Sequence, residues 1–256
     1  VEMGCRLFEG IKMDSKFTSF IVPLRDRRDQ IPGFIYNIKK YYENFEIIFC
    51  CQNDNLLFRK GQLSNLGFKK AKYDIVAFVN LDYRFMSYVN LVEEVRRFDK
   101  PIVPFGFAAR VTESSAGDIN IVRKALPSES CGGCCVFTKE QFVKSCGNSN
   151  LIAGWGPDDN ILRYRTNFRK LNDVEMGHIV HSKGGSYFDP KVKLRNQNLK
   201  MTDLQRDHSK DGFTQTIADE VGCIKVEPNI VEYKFRNIRV PEDFAYMNIY
   251  LEIKDI

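Results

Sequence analysis

Three short apolar runs, residues 17–22, 45–51 and 75–79, begin 28 and 30 residues apart near the start of the chain. Each is long enough for a buried strand and too short for a typical core helix. The stretches between them carry helical spacing. Phe34, Ile38 and Tyr41 fall on one side of residues 31–42, and Leu63, Leu66 and Phe68 punctuate a segment opened by Phe58-Arg59-Lys60-Gly61 and expected to be helical to about Lys72. Strand–helix–strand alternation of this kind predicts an α/β fold: a largely parallel sheet with helices on its faces. In such sheets ligands bind beyond the carboxyl ends of the strands.

Further along, residues 91–98 read as a helix and 101–107 as another strand. Residues 110–130 are polar with no clear period and are expected to cross the molecule irregularly. A short strand over 135–137 precedes Thr138-Lys139-Glu140-Gln141, a capping-box pattern that opens a helix. Residues 183–212 are long, polar and charged; a loop of that length in a compact domain suggests a lid. Alternation within 223–240 suggests a closing β-hairpin.

The chain has 256 residues, enough to bury a sizeable core without disulfides. Its 43% hydrophobic and 28% charged residues describe a globular protein. A net charge of +5 permits an anionic partner and compels none. No apolar run approaches the roughly 20 residues of a membrane span, and no signal-peptide pattern is present, so a cytoplasmic location is expected. Met13-Asp14-Ser15-Lys16 reads as a natural start. Residues 1–12 are then a stub, either added or left from an upstream segment, and 13–256 form one domain without repeat or linker. Of the cysteines, Cys131, Cys134 and Cys135 include one C-x-x-C. A structural zinc site wants a second pair of ligands. Cys50-Cys51 reads as a strand end instead, so buried thiols in a reducing compartment are expected.

Four places carry residue types suited to chemistry. Arg25, Arg27 and Arg28 follow the first strand at Pro23, where guanidinium groups could grip a diphosphate or form a solvated loop. Asp82 lies just beyond the third strand, a position for a cation ligand or for a turn. His178 and His181 lie three apart, and imidazole suits manganese, zinc or iron. The stretch Gly154-Trp155-Gly156-Pro157-Asp158-Asp159-Asn160 sets the chain's single Trp between glycines, then a proline suited to the first helical turn, then two acids where the helix dipole favours them. Ile161, Tyr164, Phe168 and Leu171 recur behind it as an apolar stripe. Two carboxylates at the open end of an anchored helix, beside a mobile aromatic, suit a sugar; an acidic helix cap is the plainer alternative.

Together these stretches resemble the β-1,4-galactosyltransferase family, the inverting GT-A glycosyltransferases of the family 7 type, from about residue 17 to 240. Ile21-Val22-Pro23-Leu24-Arg25-Asp26-Arg27 is similar to the family's P-F-R-N-R, and 58–68 to F-N-R-A-K-L-L-N-V-G-F. Phe78-Val79-Asn80-Leu81-Asp82 sits where the family has F-x-D-V-D, and 131–142 resembles F-G-G-V-S-A-L-S-K-Q-Q-F. Residues 154–160 resemble G-W-G-G-E-D-D, and 178–181 fall on M-x-x-H. The six stretches come in the family's order, with compatible gaps.

The resemblance implies a GT-A fold with a mixed, mostly parallel sheet flanked by helices. It implies that Pro23, Arg25, Arg27, Phe58, Lys60, Asn80, Leu81, Gly133 and Trp155 bind a UDP-sugar donor. Asp82, His178 and His181 would hold Mn2+ or another divalent cation. Asp158 and Trp155 would bind the acceptor, Asp159 would be the catalytic base, and the segment after His181 would cover the donor. The sequence departs at Asn80, where the family's first acid stands, which affects the ribose-side contact. Pro157 replaces a glycine and stiffens the base-bearing turn. Ser130 replaces an aromatic that crowds the donor's C2 substituent, leaving room for a 2-acetamido sugar.

The expected activity is inverting, metal-dependent transfer of a hexose or N-acetylhexosamine from a UDP-sugar to a saccharide hydroxyl, forming a β-glycosidic bond. The acceptor could be a glycan, a glycolipid or a sugar on glucosylated phage DNA, in a bacterial or phage setting. An excised lumenal catalytic domain is the alternative location. A non-catalytic sugar- or nucleotide-binding module on the same fold is the reading from another class. The sequence does not fix the oligomeric state.

Overall fold

The computed structural model describes residues 17–25, 27–52, 58–114, 117–127, 131–149, 158–179, 221–226 and 249–252. The stub over 1–12 and the expected lid over 183–212 lie outside them.

The three apolar runs form β1 (Thr18–Leu24), β2 (Phe45–Gln52) and β3 (Ile75–Val79). Every residue in them is buried, as expected of strands covered on both faces. β1 pairs in parallel with β2 on one side and β3 on the other. α1 (Ile31–Tyr41) begins with Pro32 in its first turn and buries Ile31, Phe34, Ile35 and Ile38. α2 (Lys60–Lys70) packs on β1 and β2. Its Gly67 lies where a Cβ would strike Ile21 and Cys50, so only glycine permits this close approach of helix to sheet.

Beyond β3 come the short β4 (Tyr83–Phe85), α3 (Leu91–Phe98) and β5 (Ile102–Val103). Asn90 caps α3 by accepting from the Glu93 N–H at 3.2 Å. The expected strand over 101–107 is two strands in different sheets: β5 ends at Val103, and Phe107 opens β6 (Phe107–Glu113). The expected irregular crossing over 110–130 is corrected as well. β6 and β7 (Ile119–Pro127) pair antiparallel as a hairpin. β6 alternates buried Ala109 and Val111 with exposed Phe107 and Arg110, so its polarity marks a half-covered sheet.

β8 (Cys134–Thr138) leads into α4 (Lys139–Lys144), and the predicted capping box is formed in both directions between Thr138 and Gln141. α5 (Asp158–Arg165) is shorter than its apolar stripe suggested. Ile161 and Leu162 anchor it, Tyr164 is 54% exposed, and Phe168 and Leu171 reach the core from beyond the helix. β9 (Arg169–Lys170) and β10 (Glu175–Ile179) follow. In the tail, β11 (Val221–Val226) pairs with β2 and with β12 (Ile249–Glu252). Within the tail the described partner of β11 is thus 249–252, while the expected second hairpin arm over 231–235 lies outside the described residues.

The main sheet runs β12-β11-β2-β1-β3-β8-β5-β9, parallel at its β2-β1-β3 centre and antiparallel where β11 and β8 flank it. A second sheet runs β4-β10-β6-β7. Aromatic side chains fill the core, with Phe20 meeting Tyr42, Phe45 and Phe85 edge-on and Phe142 meeting Phe68, Phe78 and Phe137. Among the described residues no helix is long and apolar enough to cross a membrane.

Candidate active site

The chain turns sharply after β3. The Tyr83 N–H donates to the Asn80 carbonyl at 3.0 Å, which leaves Leu81 and Asp82 in the turn. Both are buried, and Asp82 is only 1% exposed. A buried carboxylate needs partners, and two nitrogen-bearing side chains face it. Arg27, in the bend after β1, donates from Nη1 to Asp82 Oδ2 at 2.9 Å. His178 on β10 brings Nε2 to 3.4 Å from the same oxygen. β10 pairs with β4 so that His178 lies opposite Tyr83, and the two rings stack at 4.8 Å. The Ile179 N–H then donates to the Asp82 carbonyl at 2.8 Å, fixing the end of β10 against the turn.

His178 Nε2 is buried and makes no hydrogen bond among the described residues. An imidazole nitrogen in that state beside a carboxylate is a donor pair that fits a divalent cation of the manganese or zinc type. Among the described residues no group of three or more His, Cys, Asp or Glu side chains surrounds one point. The third expected ligand, His181, lies outside the described residues.

A second cluster gathers at the start of α5. Lys60, the first residue of α2, donates from Nζ to Asp159 Oδ1 at 2.7 Å and stands 3.3 Å from Asp158 Oδ2. Burial works against the Lys60 charge, yet Asp159 and then Asp158 hold its pKa well above the usual lysine value. Burial pushes the Asp158 carboxyl up to about 6, against the pull of Lys60 and with the Asp159 charge adding to the rise.

The turn Cys131-Gly132-Gly133 touches both clusters. Lys60 Nζ reaches the Gly132 carbonyl at 3.4 Å, and Cys131 Sγ lies 3.1 Å from the Asp159 carbonyl. The Gly133 carbonyl accepts the Asn80 N–H at 2.9 Å. A Cβ on Gly133 would strike the Tyr83 ring, so glycine is required here. Burial pushes the Cys131 thiol up to about 12 and raises Cys134 and Cys135 as well, which keeps all three protonated. Cys50, Cys51, Cys131, Cys134 and Cys135 are buried thiols, as the sequence led us to expect.

Of the expected donor residues, Arg27 and Lys60 belong to these clusters, and Asn80, Leu81 and Gly133 lie in the turns beside them. Pro23 is buried within β1, Arg25 and Arg27 follow its end, and Phe58 packs partly buried against the core ahead of α2. Lys60 departs from the simplest expectation, since its ammonium is held by the two acids. Trp155, Pro157 and Ser130 lie outside the described residues. Two residues escaped sequence reasoning as site builders. Asn65 of α2 exchanges hydrogen bonds with the Asn148 main chain at 2.9 and 3.0 Å, holding the segment that leads toward α5. Arg84 contacts the main chain on both sides of Asp82.

No family model matches the chain, and a search of curated proteins finds no significant match. Solved structures do match. A crystal structure of a Drosophila β1,4-galactosyltransferase 7 variant, in complex with manganese, UDP-Gal and xylobiose, is 18% identical. The match covers 92% of each chain at a TM-score of 0.53. The catalytic domain of the Drosophila enzyme with xylobiose is 19% identical over 92% of each chain, at a TM-score of 0.51. With its mixed sheet, its flanking helices and a match that covers 92% of each of these structures, the chain has the GT-A fold.

Proposed function

We propose that the protein is a metal-dependent glycosyltransferase that moves a hexose or N-acetylhexosamine from a UDP-sugar to a saccharide hydroxyl with inversion, forming a β-glycosidic bond. One observation carries this reading. A glycine turn, 131–133, joins a carboxylate–imidazole–guanidinium cluster to a lysine–diacid cluster at the strand ends of a GT-A fold. The first cluster has the chemistry for a nucleoside diphosphate and its cation. The second has the chemistry for an attacking hydroxyl.

In this reading Asp82, His178 and His181 hold Mn2+ or another divalent cation. When bound, the cation supplies Lewis-acid stabilisation of charge on the leaving diphosphate. Pro23, Arg25 and Arg27 receive the uridine diphosphate, with Phe58, Asn80, Leu81 and Gly133 lining the donor side. Asp159 takes the proton from the acceptor hydroxyl. The acceptor oxygen bonds to the sugar C1 as the bond from C1 to the phosphate oxygen breaks, and UDP departs with the electron pair. Asp158 orients the acceptor, Trp155 binds donor and acceptor, and Lys60 holds the two acids while facing the donor. Residues 13–256 act as one catalytic domain.

The test is UDP release from a panel of UDP-sugars with Mn2+, with and without saccharide acceptors, glucosylated DNA included. The expected result is release from one sugar that a chelator abolishes, with a β-anomeric product by NMR. Asp159→Asn should lower turnover by about 10²–10⁴-fold and leave UDP binding unchanged. Silence with every sugar while UDP still binds would overturn the enzyme and leave a nucleotide-binding module.

A further inference from the structure

Arg84 is fully buried on β4, two residues after Asp82. A guanidinium has five N–H donors, and all five find acceptors here. Nε and Nη2 grip the two Glu113 carboxylate oxygens, each at 2.8 Å. Nη1 donates to the Leu81 carbonyl at 2.7 Å and the Tyr83 carbonyl at 3.0 Å. Nη2 also reaches the Gln30 carbonyl at 3.4 Å, and the Phe34 ring lies 5.6 Å from the guanidinium carbon.

These acceptors are the supports of the first cluster. Leu81 and Tyr83 bracket Asp82. The Gln30 N–H donates to the Arg27 carbonyl at 3.1 Å, so Gln30 closes the turn that carries Arg27. Glu113 ends β6, which runs beside β10, the strand of His178. One buried ion pair therefore touches the backbone that delivers Arg27 and Asp82, and both its residues lie on strands, β4 and β6, that pair with β10, the strand of His178. We propose that Arg84 and Glu113 are positioning residues that set the Asp82–His178 spacing for the cation. The proposal rests on the reading of those two residues as metal ligands. The fork geometry is what performs the task. Lysine would keep the charge but, as a point charge with three donors, could not span Glu113 and the carbonyls of 30, 81 and 83 together. Supporting partners of this kind typically change metal affinity by about 10–100-fold when removed.

The test measures Mn2+ affinity in the presence of UDP, from the EPR signal of unbound Mn2+, together with thermal unfolding. It uses the full chain, Arg84→Lys, Glu113→Gln, and Val95→Ala on α3 as a control for lost core packing. Expected are at least tenfold weaker Mn2+ binding in Arg84→Lys and at least threefold in Glu113→Gln, with Val95→Ala keeping the parental affinity despite a lower Tm. If Arg84→Lys does not fold, Glu113→Gln decides, since its amide still offers an acceptor. Parental Mn2+ affinity in a folded variant would overturn the proposal and reduce the pair to a tie between sheets. A parent that binds no Mn2+ would overturn the metal site itself, an outcome distinct from unchanged variants.

Discussion

At the scale of single residues, Asp158 offers a signature that can be read without knowing the substrate. Burial, with the neighbouring Asp159 charge, raises its folded-state pKa to about 6 even though Lys60 pulls the other way. In an unfolded chain an aspartate titrates near 4 (about 3.9). Between roughly pH 4 and 6 the folded protein therefore holds a proton that the unfolded chain has released. Its contribution to stability is full below that window, falls as pH rises through it, and is flat above. Asp158→Asn should remove this component. The measurement is Tm across pH 4 to 7.5 for both proteins, and the difference between the two curves should change by pH 6 and then hold. A constant difference across the range would show that Asp158 has no raised pKa.

At the scale of elements, α2 works as a bracket between the sheet and the acids. Its first residue, Lys60, holds Asp158 and Asp159, and Asn65, just over one turn further on, holds Asn148. Asn65→Ala strands the buried Asn148 N–H and carbonyl, at about 1–3 kcal/mol for each unsatisfied group. The expected outcome is a urea midpoint lowered by the equivalent of ~3 kcal/mol at unchanged m. The start of α2 at Lys60 was close to legible in its sequence, as were α3 and the Thr138–Gln141 box, because caps and helical period are local signals. β1, β2 and β3 were legible because both their faces are covered. β6 and β7 were not, since strands with one open face look like polar loop. Arg84 was illegible for another reason. Its partners are a carboxylate 29 positions away and carbonyls that every sequence possesses. Asp82 and His178 were picked by residue type, but only the β4–β10 register brings them together. The tie of Lys60 to both acids is likewise a fact of packing.

At the scale of the whole molecule, ligands that bind the folded chain should raise its stability by mass action. UDP and Mn2+ at ~100 times their dissociation constants would each add about 2.7 kcal/mol, or roughly 5–10 °C in Tm for a chain of this size. EDTA should remove the Mn2+ increment, and His178→Ala should lose that increment while keeping the one from UDP alone. Equal Mn2+ increments in parent and variant would remove His178 from the metal site. The glycine turn at 131–133 has a further consequence. Its contacts with Lys60, Asn80 and Asp159 run through main-chain carbonyls of the turn or of its partner. Peptide carbonyls survive almost any substitution. The two clusters are thus joined by a seam whose acceptors are all main-chain carbonyls, with Lys60 and Cys131 supplying two of its three donors from side chains, so those two positions are where a side-chain change loosens it.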